Sequence, residues 1–114
     1  MGRAMKRGEV RWYTFEPPNK RRPVLILTRD SAIGYLHALT VAPITSTIRD
    51  IPSEIVLGQD DGLLTDCAAS LDNTQTVPKA RLGALVARLS STRMAEVEEA
   101  IRFALGLGDW PSGN

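Results

Sequence analysis

The chain has one cysteine, Cys67, and one histidine, His37. A single cysteine cannot close an internal disulfide, so a reducing, cytoplasmic setting is expected. One Cys and one His argue against a tetrahedral zinc site within the chain. No metal and no other cofactor is expected. A cysteine nucleophile needs a base beside it, and His37 falls on an expected strand. Cys67 therefore reads as a small apolar core residue and His37 as structural. No apolar run approaches ~20 residues, so no membrane span is expected. The first residues are polar and basic with no apolar stretch behind them, which does not suit a secretory leader. Internal repeats and low-complexity segments are absent.

What is present suits one domain over residues 1–114 with its own core. Hydrophobic content of 43% and charged content of 24% are ordinary for a folded soluble domain. Met5 to Gly8 reads as a native start, so Met1 to Ala4 stay outside the fold argument, and 108–114 reads as a tail carrying Trp110. The formal net charge of +1 conceals an asymmetry. Residues 1–50 carry nine Lys or Arg against four Asp or Glu, and residues 51–114 carry five against nine. A basic front half is compatible with a polyanionic partner.

Short strand patterns follow one another closely. Glu9 to Phe15, Pro23 to Thr28, Leu36 to Pro43 and Ser53 to Leu57 are expected strands. Arg29 to Gly34 and Gly58 to Gly62 read as connections. Leu63 to Ser70 is apolar, Leu71 to Val77 reads as a strand with polar occupants, Pro78 to Leu82 as one helical turn, and Leu85 to Leu89 as the last strand. Ser90, Ser91 and Thr92 offer N-caps. Met94, Val97, Ile101, Ala104 and Leu105 then share one helical face, and Gly106 suits the C′ position. The expected fold is mainly β: a small barrel or sandwich of short strands with a C-terminal helix packed on it.

Lys20-Arg21-Arg22-Pro23 places clustered positive charge directly before an apolar strand. Proline biases Arg22 to an extended conformation, where a guanidinium can clamp a phosphate bidentately. The commoner role of such a run is a solvated loop tip. Ile44-Thr45-Ser46-Thr47 is a hydroxyl-rich strand end, fit either to turn the backbone or to donate to phosphate oxygens.

Lys6 to Val10, Arg22 to Ile26, Val41 to Ser46 and Asp72 to Thr76, in that order, resemble the MazF/PemK (Kid) endoribonuclease toxins. Met94 to Ile101 resembles that family's last helix, and the match spans about residues 6–107. The resemblance implies an SH3-like (CcdB/MazF-type) barrel of mostly antiparallel strands, usually a homodimer. It implies metal-independent, sequence-specific cleavage of single-stranded mRNA and an antitoxin partner that occupies the RNA groove. The family's catalytic arginine falls on Arg22, its catalytic hydroxyl on Thr45, and the acid of the PemK branch on Asp72. Two departures stand out: the first loop is short, and Ser70 replaces the arginine that PemK-type members carry two positions before the acid.

Cleavage without a metal uses the 2′-hydroxyl of the RNA, giving a cyclic phosphate and a free 5′-hydroxyl. A 2′ proton must be removed, a phosphorane stabilised and a leaving oxygen protonated. Arg22 suits the second task, being always charged. Thr45 can donate one hydrogen bond, and Asp72 is the candidate base, with a turn or cap as its equal alternative. Lys20, Arg21, Ser46 and Arg49 are candidates for the RNA backbone. Asn73, Gln75 and Thr76 are candidates for base edges, with cross-strand bonding as their alternative. Trp12 and Tyr13 can stack on bases, although neighbours on a strand face opposite ways and one belongs to the core. Because SH3-like barrels serve many functions, a non-catalytic module remains open, either a gyrase-binding toxin or a decayed toxin that only binds antitoxin.

Overall fold

A computed structural model describes residues 5–18 and 20–108. The lead residues 1–4 and Trp110 in the expected tail lie outside the described residues. Seven strands form one sharply bent antiparallel sheet: β1 (Glu9–Thr14), β2 (Arg21–Ile26), β3 (Ala38–Thr45), β4 (Glu54–Leu57), β5 (Cys67–Ser70), β6 (Gln75–Pro78) and β7 (Leu85–Arg88). Their order is β4-β5-β3-β2-β1-β7, with β6 also paired to β3. A short helix α1 (Asp30–Ile33) joins β2 to β3, and helix α2 (Ser91–Leu105) closes the described chain. Short, mostly antiparallel strands with a C-terminal helix are as expected, and the sheet curves into a half-barrel.

Strand β3 organises the sheet. Its first half pairs with β6, Leu39 opposite Val77 and Val41 opposite Gln75. Its last two residues pair with β5, Ile44 opposite Ala69 and Thr45 opposite Ala68. Its other edge pairs with β2, Val24 opposite Pro43 and Ile26 opposite Val41. Alternate residues then feed two cores. Val24, Ile26, Leu39, Val41 and Val77 bury one face with Tyr13 and Ile33. Leu25, Ala42, Ile44, Ala69 and Leu71 bury the other against Met94, Val97 and Ala100 of α2.

Several elements differ from expectation, β3 among them, which runs Ala38–Thr45 where Leu36 to Pro43 is expected. β2 begins two residues early and contains Pro23. Its ladder to β3 starts only at Val24, so Pro23 sits where one edge of the strand carries no partner and its missing N–H costs no ladder bond. The connection after β2 contains a helix of four residues, too short to carry a periodic signature. Leu71 to Val77 is not one strand: Leu71–Asn73 is a 3-10 turn, and the ladder resumes at Gln75. The chain turns there because β5 and β6 pair with successive stretches of the same edge of β3.

Helix α2 follows its sequence signals. Ser90 Oγ accepts the Arg93 N–H at 3.1 Å, and Gly106 adopts φ 71°, the left-handed cap that glycine takes without a Cβ penalty. Met94, Val97 and Ala100 are buried, but Leu105 is 62% exposed because the last turn extends past the sheet. Arg93 ties the helix to the body, donating to Asp61 Oδ1 at 2.9 Å and to the Val56 carbonyl.

Leu25 is fully buried at the centre of the α2-facing core, whereas Leu64 is 86% exposed. Leu25→Ala is expected to lower stability by about 2–5 kcal/mol in urea titrations. Leu64→Ala is expected to stay within about 0.5 kcal/mol of the parent.

Candidate active site

Continuing the β2–β3 register by two residues sets Arg22 opposite Thr45. Tyr13 of β1 lies opposite Arg22 on its other side. Thr45 in turn faces Ala68 of β5, and Ser70, two residues on, faces Glu54 of β4. Residues at even spacing share a face, so Tyr13, Arg22, Thr45, Ser70 and Glu54 all project to the same side. A cleft of about 380 Å³ opens there, lined by Arg22, Thr45, Arg49, Glu54, Asn73 and Gln75, with Phe15 and Pro43 in its wall.

Several of these groups are fixed by local hydrogen bonds. Thr45 Oγ1 accepts the Thr47 N–H at 3.1 Å, which occupies a lone pair and leaves the hydroxyl proton to donate. Glu54 Oε1 accepts the Arg49 N–H at 2.9 Å. Asn73 Nδ2 donates to Ser70 Oγ at 2.8 Å, so its amide orientation is set. Phe15 packs edge-on against Tyr13 with ring centroids 4.8 Å apart.

Of the residues expected at the site, Arg22, Thr45, Arg49, Asn73 and Gln75 meet in this cleft. Arg21, one residue from Arg22, faces the other way and lies over the Trp12 ring, 4.2 Å from its centroid. Tyr13 is buried, so neither of the two aromatics considered for stacking lines the cleft; Phe15 does. Thr76 faces away from Gln75 and opposes Thr40. Lys20 and Ser46 are exposed and do not line the cleft.

Asp72 does not line the cleft with Arg22 and Thr45. It sits in the 3-10 turn after β5, and its Oδ2 accepts the Ser53 hydroxyl at 2.5 Å. Ser53 also accepts the Leu71 N–H through its carbonyl, so Asp72 braces the loop that enters β4. The acid in the cleft is Glu54, which the sequence did not single out. A signal existed in the pattern: Glu54 is a carboxylate at the second position of the strand expected from Ser53, and strand register decides its side.

Cys67 is buried and 3.8 Å from the Leu57 carbonyl, well placed for its expected core role. Burial pushes its thiol upward, helped by the negative charges of Asp61 and Asp66. Among the described residues no three His, Cys, Asp or Glu side chains gather as a metal-ligand group, and no helix is long and apolar enough to cross a membrane.

Comparison with known proteins agrees with this architecture. Residues 6–105 match the family of PemK-like, MazF-like toxins of type II toxin–antitoxin systems. The chain is 41% identical over 92 residues to endoribonuclease MazF3 of Mycobacterium tuberculosis, covering 81% of this chain and 88% of that protein. It is 34% identical over 103 residues to the probable endoribonuclease MazF2 of the same organism, covering 90% and 99%. Among solved structures, Mycobacterium tuberculosis toxin MazF-mt6 superposes with a TM-score of 0.80 at 36% identity, covering 87% of this chain and 97% of that one. A mycobacterial endoribonuclease in complex with its cognate antitoxin gives 0.82 at 27% identity, covering 95% and 100%. The chain belongs to the PemK/MazF toxin family.

The thiol supplies a test of the α2-facing core to which it belongs. With the folded value raised, the neutral thiol is favoured in the native state. Its stabilising effect is present below the unfolded thiol's ordinary range and is lost as pH rises through the folded value. Stability should therefore fall across the alkaline range, and Cys67→Ala should flatten that fall in melts read at successive pH values. A thiol reagent should label native protein far more slowly than unfolded protein.

Proposed function

We propose that this chain is the toxin of a toxin–antitoxin pair and cleaves single-stranded mRNA in the cytoplasm without a metal. The observation that carries this reading is Arg22 set across from Thr45, in a cleft walled by amides and a second arginine. Relatives named as endoribonucleases and the neighbour bound to its antitoxin support it.

The chemistry follows from the groups. The scissile phosphate lies between Arg22 and Thr45. The guanidinium fork and the Thr45 hydroxyl donate to its non-bridging oxygens. Negative charge grows on those oxygens as the 2′-oxygen attacks, so fixed donors stabilise the transition state more than the ground state. The products are a cyclic phosphate and a 5′-hydroxyl. Arg49 attracts the neighbouring phosphate. Asn73 and Gln75 offer amides to base edges, and Phe15 offers a ring on which an unpaired base stacks. Asp72 acts through Ser53, holding the loop that carries Arg49. The antitoxin occupies the same cleft, with acidic groups in place of phosphates.

Purified protein should cut single-stranded RNA in EDTA. Arg22→Ala should reduce the rate by about 10²–10³-fold and Thr45→Val by on the order of a hundredfold, with melting curves little changed. Arg49→Ala should make log affinity less steep in log salt by about 0.7. Asp72→Ala should cost about 1 kcal/mol of stability and should lower the rate much less than Arg22→Ala. Full activity in Arg22→Ala would refute the reading.

We propose further that the active species is a homodimer. Phe103, Leu105 and Leu107 expose apolar surface together at the end of α2, which a second copy would cover. Light scattering should give twice the 12.4 kDa chain mass. A monomer that remains fully active at nanomolar concentration would refute it.

A further inference from the structure

Two glutamates are buried among the described residues, and they are held in different ways. Glu9 is 2% exposed and meets Arg11 Nε at 2.8 Å and Arg88 Nε at 3.6 Å. Glu54 is 8% exposed, and among the described residues no cation forms an ion pair with it. Its Oε1 holds only the Arg49 backbone N–H. Its Oε2 has no hydrogen-bond partner among the described residues, and no buried side-chain oxygen lacks one, so Oε2 opens to the cleft. Burying a carboxylate without a counter-ion is costly. At the edge of a small sheet an apolar residue would serve packing better. The charged side chains facing Glu54 across the cleft are Arg22 and Arg49. Its cross-strand partner is Ser70, too small and uncharged to neutralise it.

We propose that Glu54 is the proton acceptor for the attacking 2′-hydroxyl. This role rests on the ribonuclease reading above. Glu54 Oε2 takes the 2′ proton as the 2′-oxygen forms its bond to phosphorus. The bond from phosphorus to the 5′-oxygen breaks, and that oxygen takes a proton from bulk water. Glu54 then returns its proton to bulk water, so the cycle leaves the protein unchanged. Arg22 and Thr45 hold the phosphate from the β2–β3 side while Glu54 approaches from the β4–β5 side. The Arg49 N–H keeps one carboxylate oxygen occupied and aims the other.

The test uses one short RNA whose cleavage site has been mapped with the parent protein. Two analogues accompany it, one with a sulfur in place of the scissile 5′-oxygen and one lacking the 2′-hydroxyl. Glu54→Gln keeps an oxygen for the Arg49 N–H. It is expected to slow single-turnover cleavage by about 10²–10³-fold and to bind the 2′-deoxy analogue within about twofold of the parent. Its deficit should persist on the sulfur analogue, because a thiolate leaves without protonation while the 2′ proton must still be removed. Glu54→Asp should retain part of the rate, and it decides the matter by the same two readouts if the Gln variant does not fold. Cleavage by the variants within about threefold of the parent would overturn the role. So would a deficit that disappears on the sulfur analogue, or one confined to binding. A parent protein that cuts no RNA would instead overturn the ribonuclease reading, and this role with it.

Discussion

The site depends on the pairing register of β3. That strand is buried on both faces, with Leu39 and Val41 in one core and Ala42 and Ile44 in the other. A slip of one residue against β2 would send each side chain to the wrong face. The two cores therefore fix register far more strongly than one half-buried face would. Arg22 and Thr45 lie where that register extends two residues beyond the last ladder pair, Val24 and Pro43. Their opposition follows from burial several residues away and needs no interaction between them.

Much of this was legible locally. Arg22-Pro23 before an apolar run marks a strand entry, and Thr45 lies where apolar alternation gives way to hydroxyls. The cap at Ser90 and the stop at Gly106 are short-range signals, and α2 obeys them. What could not be read locally depends on which strands are neighbours. Asp72 shares its hydrophilic stretch with Asn73 and Gln75, yet only the latter two reach the cleft. The difference arises from the turn between β5 and β6, which is needed because both strands share one edge of β3. Glu54 presents the opposite case. Nothing adjacent to it in sequence suggests chemistry, and its side is set by two ladders in succession, β4 to β5 and β5 to β3.

The same alternation separates the basic loop. Arg21 and Arg22 are identical in composition and opposite in use: Arg21 stacks on Trp12, a contact worth about 0.5–1 kcal/mol at an exposed site, while Arg22 enters the cleft. A count of positive charge therefore overstates what the RNA would meet. In the proposed reading Lys20 and Arg21 would add only long-range attraction, which salt screens within about 10 Å. In that reading Arg22 and Arg49, which line the cleft, act at contact distance.

The cleft's polar groups are oriented chiefly by backbone. Thr45 is aimed by the Thr47 N–H and Glu54 by the Arg49 N–H. Both donors belong to the segment between β3 and β4, which Asp72 holds through Ser53. One loop thus orients the Thr45 hydroxyl and the Glu54 carboxylate together. Groups fixed before substrate arrives need little reorganisation during reaction, which is where electrostatic catalysis gains most. Displacing that loop would disturb both groups at once.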